Sequence, residues 1–187
     1  MEEVEKRTIV FFLVPEFSMI AFTMAIEPLR LANRTMGQPG YRWRLCSADG
    51  LPVTASNGVE CSVQTSLEDE RRLMTGEDRP SMVFVCSGIN VERHVSRSIN
   101  AWLREEYNRG VTVGGVCTGA YVLASAGLLS GKRCAIHWEN LPGFAEAFPK
   151  VEAFADLYEV DSNIYTCAGG TASMDMMLQL IRGDFGD

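Results

Sequence analysis

Histidine is scarce in this chain, with 2 in 187 residues. No apolar run approaches the roughly 20 residues that a membrane-spanning helix needs. The early run from Ile9 to Val14 is also too short for the core of a secretory signal, and the charged opening Met1-Glu2-Glu3-Val4-Glu5-Lys6-Arg7 precedes it. These features point to a cytoplasmic protein. Positive charge is in deficit: 17 Lys and Arg stand against 24 Asp and Glu, a net charge of −7. That is the wrong sign for a surface that grips a phosphate backbone, so the chain by itself is not expected to hold nucleic acid. The six cysteines, at 46, 61, 86, 117, 134 and 167, include no C-x-x-C pair. The usual zinc patterns are therefore missing, and runs such as Val83-Phe84-Val85-Cys86 favour reduced core thiols over disulfides. No metal or cofactor is expected. Linkers, repeats and low-complexity tracts are absent as well, so residues 1–187 are expected to form a single domain.

Strand-like and helix-like segments alternate along the chain. Thr8 to Val14 is a continuous apolar run ended by Pro15, as in a strand buried on both faces. Ser18 can cap a helix that runs to about Asn33, with Pro28 expected to kink or interrupt it. A strand over Tyr41 to Ala48, a hairpin within Leu51 to Val63, and a polar link from Ser66 to Arg79 follow. Ser81 to Cys86 is a second buried strand, and Val91 to Arg109 has the spacing of one amphipathic helix. After Val111-Thr112-Val113 and the helix-like Ala120 to Ala126 come a short strand, Arg133 to Ile136, a brief helix, Leu141 to Phe148, and a hairpin of Leu157–Val160 with Ile164–Cys167. A last helix, Ala172 to Ile181, is capped at Thr171. This order predicts an α/β fold, a doubly wound and mostly parallel sheet that binds ligands beyond the carboxyl ends of its strands.

Gly115-Val116-Cys117-Thr118-Gly119 sits where a strand hands over to a helix. Glycines around a central Cys in that setting fit a nucleophile elbow, which holds the thiol over the N-terminus of the helix. An inert core cysteine is the competing reading, because buried thiols are common. A reactive thiol needs a base. His94 falls on the predicted solvated face of its helix, whereas His137 stands at a strand end 20 residues beyond the elbow. Glu139 or Asp175 can orient His137, or both can be ordinary surface acids. Amides at Gly88 and Thr118 can receive a carboxylate or an oxyanion. Phe17, Trp138 and Tyr121 offer either aromatic faces to a cation or plain core packing. Met174, Met176 and Met177 read as core filler or a dimer face.

Taken together, Gly115 to Gly119, Ile136-His137-Trp138-Glu139 and Tyr165 to Ala172 resemble the class I glutamine amidotransferase-like superfamily, with the flavodoxin-like fold of PfpI-type proteins. Pro15-Glu16-Phe17-Ser18, Glu27 to Asn33 and Val53 to Gly58 bring it closer to the N-terminal sensor domain of AraC-family transcriptional regulators. That resemblance implies a homodimer that detects a small nitrogenous effector, such as choline, glycine betaine, carnitine or arginine, and activates catabolic genes. Its DNA contacts would come from C-terminal helix-turn-helix units beyond this chain. The pocket it implies comprises Phe17, Ser18, Gly88, Cys117, Thr118, His137, Trp138, Glu139, Gly169, Gly170 and Thr171, with Phe17 and Trp138 facing the cation. Enzymatic relatives carry an acid early in the first helix where this chain has Ala21, so Cys117 and His137 are expected to be vestigial. A cysteine-dependent amidase, hydrolase or glyoxalase-type enzyme is the alternative.

Overall fold

The computed structural model describes residues 6–186; the charged opening Met1 to Glu5 lies outside them. Strand β1 (Arg7–Leu13) leads into helix α1 (Met19–Met36) and strand β2 (Tyr41–Ser47). Three short strands follow, β3 (Val53–Thr54), β4 (Glu60–Cys61) and β5 (Thr65–Ser66), then α2 (Leu67–Leu73), β6 (Met82–Cys86), α3 (Arg97–Asn108) and β7 (Thr112–Val116). The remainder is α4 (Gly119–Ser125), β8 (Arg133–Ala135), α5 (Leu141–Ala147), β9 (Glu152–Phe154), β10 (Tyr158–Asp161), β11 (Ile164–Cys167) and α6 (Ala172–Phe185). The main sheet has the order β10-β11-β7-β6-β1-β2-β5, parallel throughout except for the β10–β11 hairpin. This is the doubly wound, mostly parallel sheet that the alternation implied, in the flavodoxin-like form that the family resemblance implied.

Strand β1 shows why the sheet is covered on both sides. Ile9, Phe11 and Leu13 join one core with residues of α1 and α6, while Val10, Phe12 and Val14 join a second core with residues of α3 and α4. Successive side chains of a strand point to opposite faces, so a run without polar gaps requires a helical layer on each. The aromatic residues predicted as possible pocket walls or packing divide accordingly: Tyr121 packs edge-on against Phe144 and Phe148. Met176 and Met177 are fully buried beneath α6.

Four local expectations are corrected. Helix α1 runs through Pro28 without interruption. Ser18 and Gly37 cap it at either end, and Ala25, Pro28 and Leu29 are buried on its inner side, so packing outweighs the lost backbone hydrogen bond. The polar link Ser66–Arg79 contains α2, set by a reciprocal capping box between Ser66 and Asp69. The single helix expected over Val91 to Arg109 breaks instead into a 3₁₀ turn, Val91–Arg93, and α3, whose cap is Ser96. His94 consequently lies at the break, beside Glu16, not on a solvated helix face. Strand β8 is not in the main sheet but pairs with the unpredicted β9, tied to the main sheet by Ala135 N–H donating to Thr166 Oγ1 at 2.9 Å.

Helix α3 also buries a carboxyl group. Glu106 accepts from Trp102 Nε1 at 3.0 Å through Oε1, and Oε2 has no partner. Burial pushes its pKa from 4.5 up to about 7. A carboxyl raised in the folded state favours the protonated protein, so the stability is full below the unfolded value and is lost as pH rises through about 7. Urea unfolding should show roughly 2–3 kcal/mol less stability near pH 8.5 than near pH 5 from this group. Glu106→Gln should remove most of that slope; a slope unchanged in the variant would assign it to other groups.

Candidate functional site

The elbow forms as its sequence requires. Cys117 has φ 62, a left-handed conformation that a non-glycine residue adopts only under constraint. The constraint is crowding on both sides: a Cβ on Gly115 would stand 2.5 Å from Ala120 N, and one on Gly119 would stand 2.2 Å from Val85 O. Behind the thiol, Gly169 (φ 89) approaches so closely that a Cβ there would lie 2.7 Å from Cys117 Cβ. Thr118 donates its hydroxyl to Gly88 O at 2.6 Å, which locks the loop after β6 to the elbow. Gly88 in turn bridges Phe17, and Ser18 N–H donates to Ser87 O at 3.3 Å.

These contacts enclose a cavity of about 360 Å³ at the carboxyl ends of β1, β6 and β7. Ser18, Gly88, Cys117, Thr118, His137 and Glu139, all singled out in the sequence, line it. Five further residues do so as well: Ser56, Ile89, Asn90, Glu92 and Asn140. Ser56 arrives with the β3–β4 hairpin, its N–H donating to Phe17 O at 2.9 Å; it lies in the Val53 to Gly58 stretch that supports the resemblance but was not among the expected pocket residues. Asn90 stands at φ 54, and an Asn two residues after a strand-end Ser-Gly is a turn signal that could have drawn attention to it.

The other pocket candidates lie elsewhere. Phe17 is 0% exposed and packs edge-on against Phe22 inside the α1–α6 core, because its backbone is clamped to Gly88 with the ring turned inward. Trp138 is 65% exposed, stacked on the outer side of the His137 ring, with centroids 5.9 Å apart. Gly169 backs the thiol, while Gly170 and Thr171 form the turn into α6, outside the lining. Asp175 belongs to a separate surface depression with Leu178 and Arg182, so it does not orient His137. Glu139 Oε2 is 3.8 Å from His137 Nδ1.

The electrostatics keep the sulfur neutral. Burial pushes the Cys117 thiol up to about 11; the Thr118 amide opposes this, and Cys167 and Glu139 add to it. Cys86 and Cys167, which flank Val116 on the neighbouring strands, are likewise raised by burial. All six cysteines are free. Among the described residues no hydrogen bond joins the Cys117 thiol to the His137 ring, and no cluster of three or more His, Cys, Asp or Glu side chains has the arrangement of a metal-ligand set. Nor is any helix among them long and apolar enough to cross a membrane.

A parallel sheet with an elbow cysteine at its carboxyl edge defines the class, and the chain belongs to the DJ-1/PfpI family, whose model matches residues 7–183. Within it, the chain is 44% identical over 171 residues to the HTH-type transcriptional regulator CdhR of Pseudomonas aeruginosa, covering 91% of this chain and 48% of that protein. The chain thus spans about half the length of the curated regulators it matches. The crystal structure of an AraC family transcriptional regulator from Pseudomonas putida superposes with a TM-score of 0.84 at 27% identity, covering 97% of this chain and 94% of that one. An enzyme is similar too: the isonitrile hydratase of Pseudomonas putida is 28% identical over 178 residues, 92% of this chain and 69% of the enzyme.

Proposed function

We propose that this chain is the effector-sensing part of an AraC-type transcriptional regulator and that its elbow cavity binds a small cationic amine. The observation that carries this reading is the make-up of the cavity wall: two carboxylates, Glu92 and Glu139, beside a thiol that burial keeps protonated. A wall of that kind attracts a cation and offers no resting nucleophile. Backbone around Gly88 and Thr118 is placed to meet the polar end of the same ligand. Because Phe17 is core and Trp138 lies outside the lining, the carboxylates, and not an aromatic cage, are the cation's partners in this reading. DNA binding belongs to the complete regulator, as its relatives' HTH-type names suggest, and the reading includes a homodimer in the cytoplasm.

Titration calorimetry against choline, glycine betaine, carnitine and arginine tests the proposal. At least one should bind, and Glu139→Gln should weaken it about tenfold through loss of the ionic partner. Absence of heat with all four would overturn the amine class. Turnover of an amide or isonitrile substrate that vanishes in Cys117→Ser would overturn the non-catalytic reading.

A further inference from the structure

A second cavity, of about 330 Å³, opens beyond the carboxyl ends of β1 and β2 on the side of the sheet covered by α3. Phe12, Val14, Val53 and Ile99 form its inner walls, and none is more than 6% exposed. This edge of the sheet adjoins the place where strand order reverses, with β2 to one side of β1 and β6 to the other. Crevices there are where doubly wound sheets collect ligands.

The polar side chains around this second cavity are mostly spent. Ser47 donates to Leu51 O at 2.9 Å and accepts from Gly50 N–H at 3.0 Å, and Ser96 accepts from Ile99 N–H at 3.2 Å as the cap of α3. Asp49 accepts from Leu51 N–H at 3.0 Å, and its charge disfavours an acid. His94 remains. Its Nε2 lies 3.4 Å from Glu16 Oε2, so Nε2 donates to the carboxylate, and in the neutral ring Nδ1 is then the acceptor.

Glu16 also connects the two cavities. The oxygen that faces His94 accepts from Asn90 Nδ2 at 3.0 Å, and Asn90 lines the elbow cavity. Asn90 first, and His94 with it, hold the Glu16 carboxyl below its ordinary range. Both Glu16 (φ 62) and Asn90 (φ 54) are non-glycine residues in the left-handed region, a conformation that persists only where surrounding contacts enforce it.

We propose that this cavity is a second binding site, for a compact apolar molecule bearing one hydroxyl donor, an aliphatic alcohol or a phenol, and that it is coupled to the elbow cavity through Glu16. The hydrocarbon body covers Phe12, Val14, Val53 and Ile99 while the hydroxyl donates to His94 Nδ1. Drawing His94 toward the ligand alters its share of Glu16, and with it the hold on Asn90. By linkage, occupancy of the elbow cavity changes affinity here by the same factor.

The test is an NMR titration of the whole chain with phenol and with cyclohexanol, following side-chain methyl groups and the Asn90 amide. The expected result is saturable shifts at Val14, Val53 and Ile99 together with a shift at Asn90. His94→Phe should weaken binding about fivefold, the loss of one neutral hydrogen bond. In Glu16→Ala, a change at a partly exposed position, the methyl shifts should persist and the Asn90 shift should disappear. Shifts that never saturate, or that leave the methyl groups of Val14, Val53 and Ile99 unmoved in the unmodified protein, would overturn the site. An Asn90 response surviving in Glu16→Ala would overturn the coupling. Neither outcome bears on amine binding at the elbow.

Discussion

Iodoacetamide should alkylate Cys117 about a hundredfold more slowly near neutral pH than an unperturbed thiol, because burial raises its pKa from 9.0 to about 11 and only the thiolate reacts. Each pH unit changes the thiolate population tenfold, so the rate should climb by that factor per unit until about pH 11. Access differs from protonation here: the side chain borders the elbow cavity, so reagent reaches it and the charge state limits the reaction. Cys61, the one cysteine that is not buried, should react first. Peptide-resolved mass spectrometry over a pH series separates the two. Fast alkylation of Cys117 at neutral pH would mean that a cation or His137 stabilises the thiolate, and the catalytic alternative would regain its footing. The structure argues otherwise, because the charged group acting on the sulfur is Glu139, which raises its pKa further.

The elbow was legible in the sequence because its requirements are local. Two glycines crowded by Ala120 N and Val85 O, and a central residue at positive φ, leave a mark within five positions. The sheet was legible because burial on two faces produces uninterrupted apolar runs such as Ile9 to Val14. The cavity wall was only half legible. Ser18, Gly88, Thr118 and His137 follow from the rule that ligands gather at strand ends, but Ser56, Asn90 and Glu92 come from a hairpin and a loop whose paths depend on tertiary contacts. Phe17 misled for the same reason. Its position at a strand end is right, yet the bridge to Gly88 decides which way the ring turns. Helix α2 was missed because only Leu67 and Leu73 are apolar along it, although Ser66-x-x-Asp69 supplied a helix-start signal. Glu106 shows the limit most sharply. On a helical wheel it falls in the buried stripe of Ile99, Trp102 and Leu103, so its burial could have been read from spacing, but its Trp102 partner and the orphaned Oε2 come only from the packing.

Gly119→Ala should be among the most damaging single changes, costing about 3 kcal/mol or more by urea unfolding. The added Cβ would lie 2.2 Å from the carbonyl oxygen of Val85 and 3.2 Å from its carbon, both backbone atoms of a central strand that cannot rotate away. Relief requires α4 to move off the sheet or β6 to shift along its pairings with β1 and β7. Either movement displaces the chain just beyond Val85, where Gly88 accepts the Thr118 hydroxyl, so any folded remainder should also lose affinity at the elbow cavity. A glycine inside another helix supplies the control. Gly143 in α5 has nothing within 4 Å of its added Cβ, and Gly143→Ala should be neutral or stabilise by about 0.5–1 kcal/mol through helix propensity. Equal unfolding midpoints for the two variants would show that the β6–α4 junction yields, and the crowding that holds Cys117 at positive φ would lose its explanation.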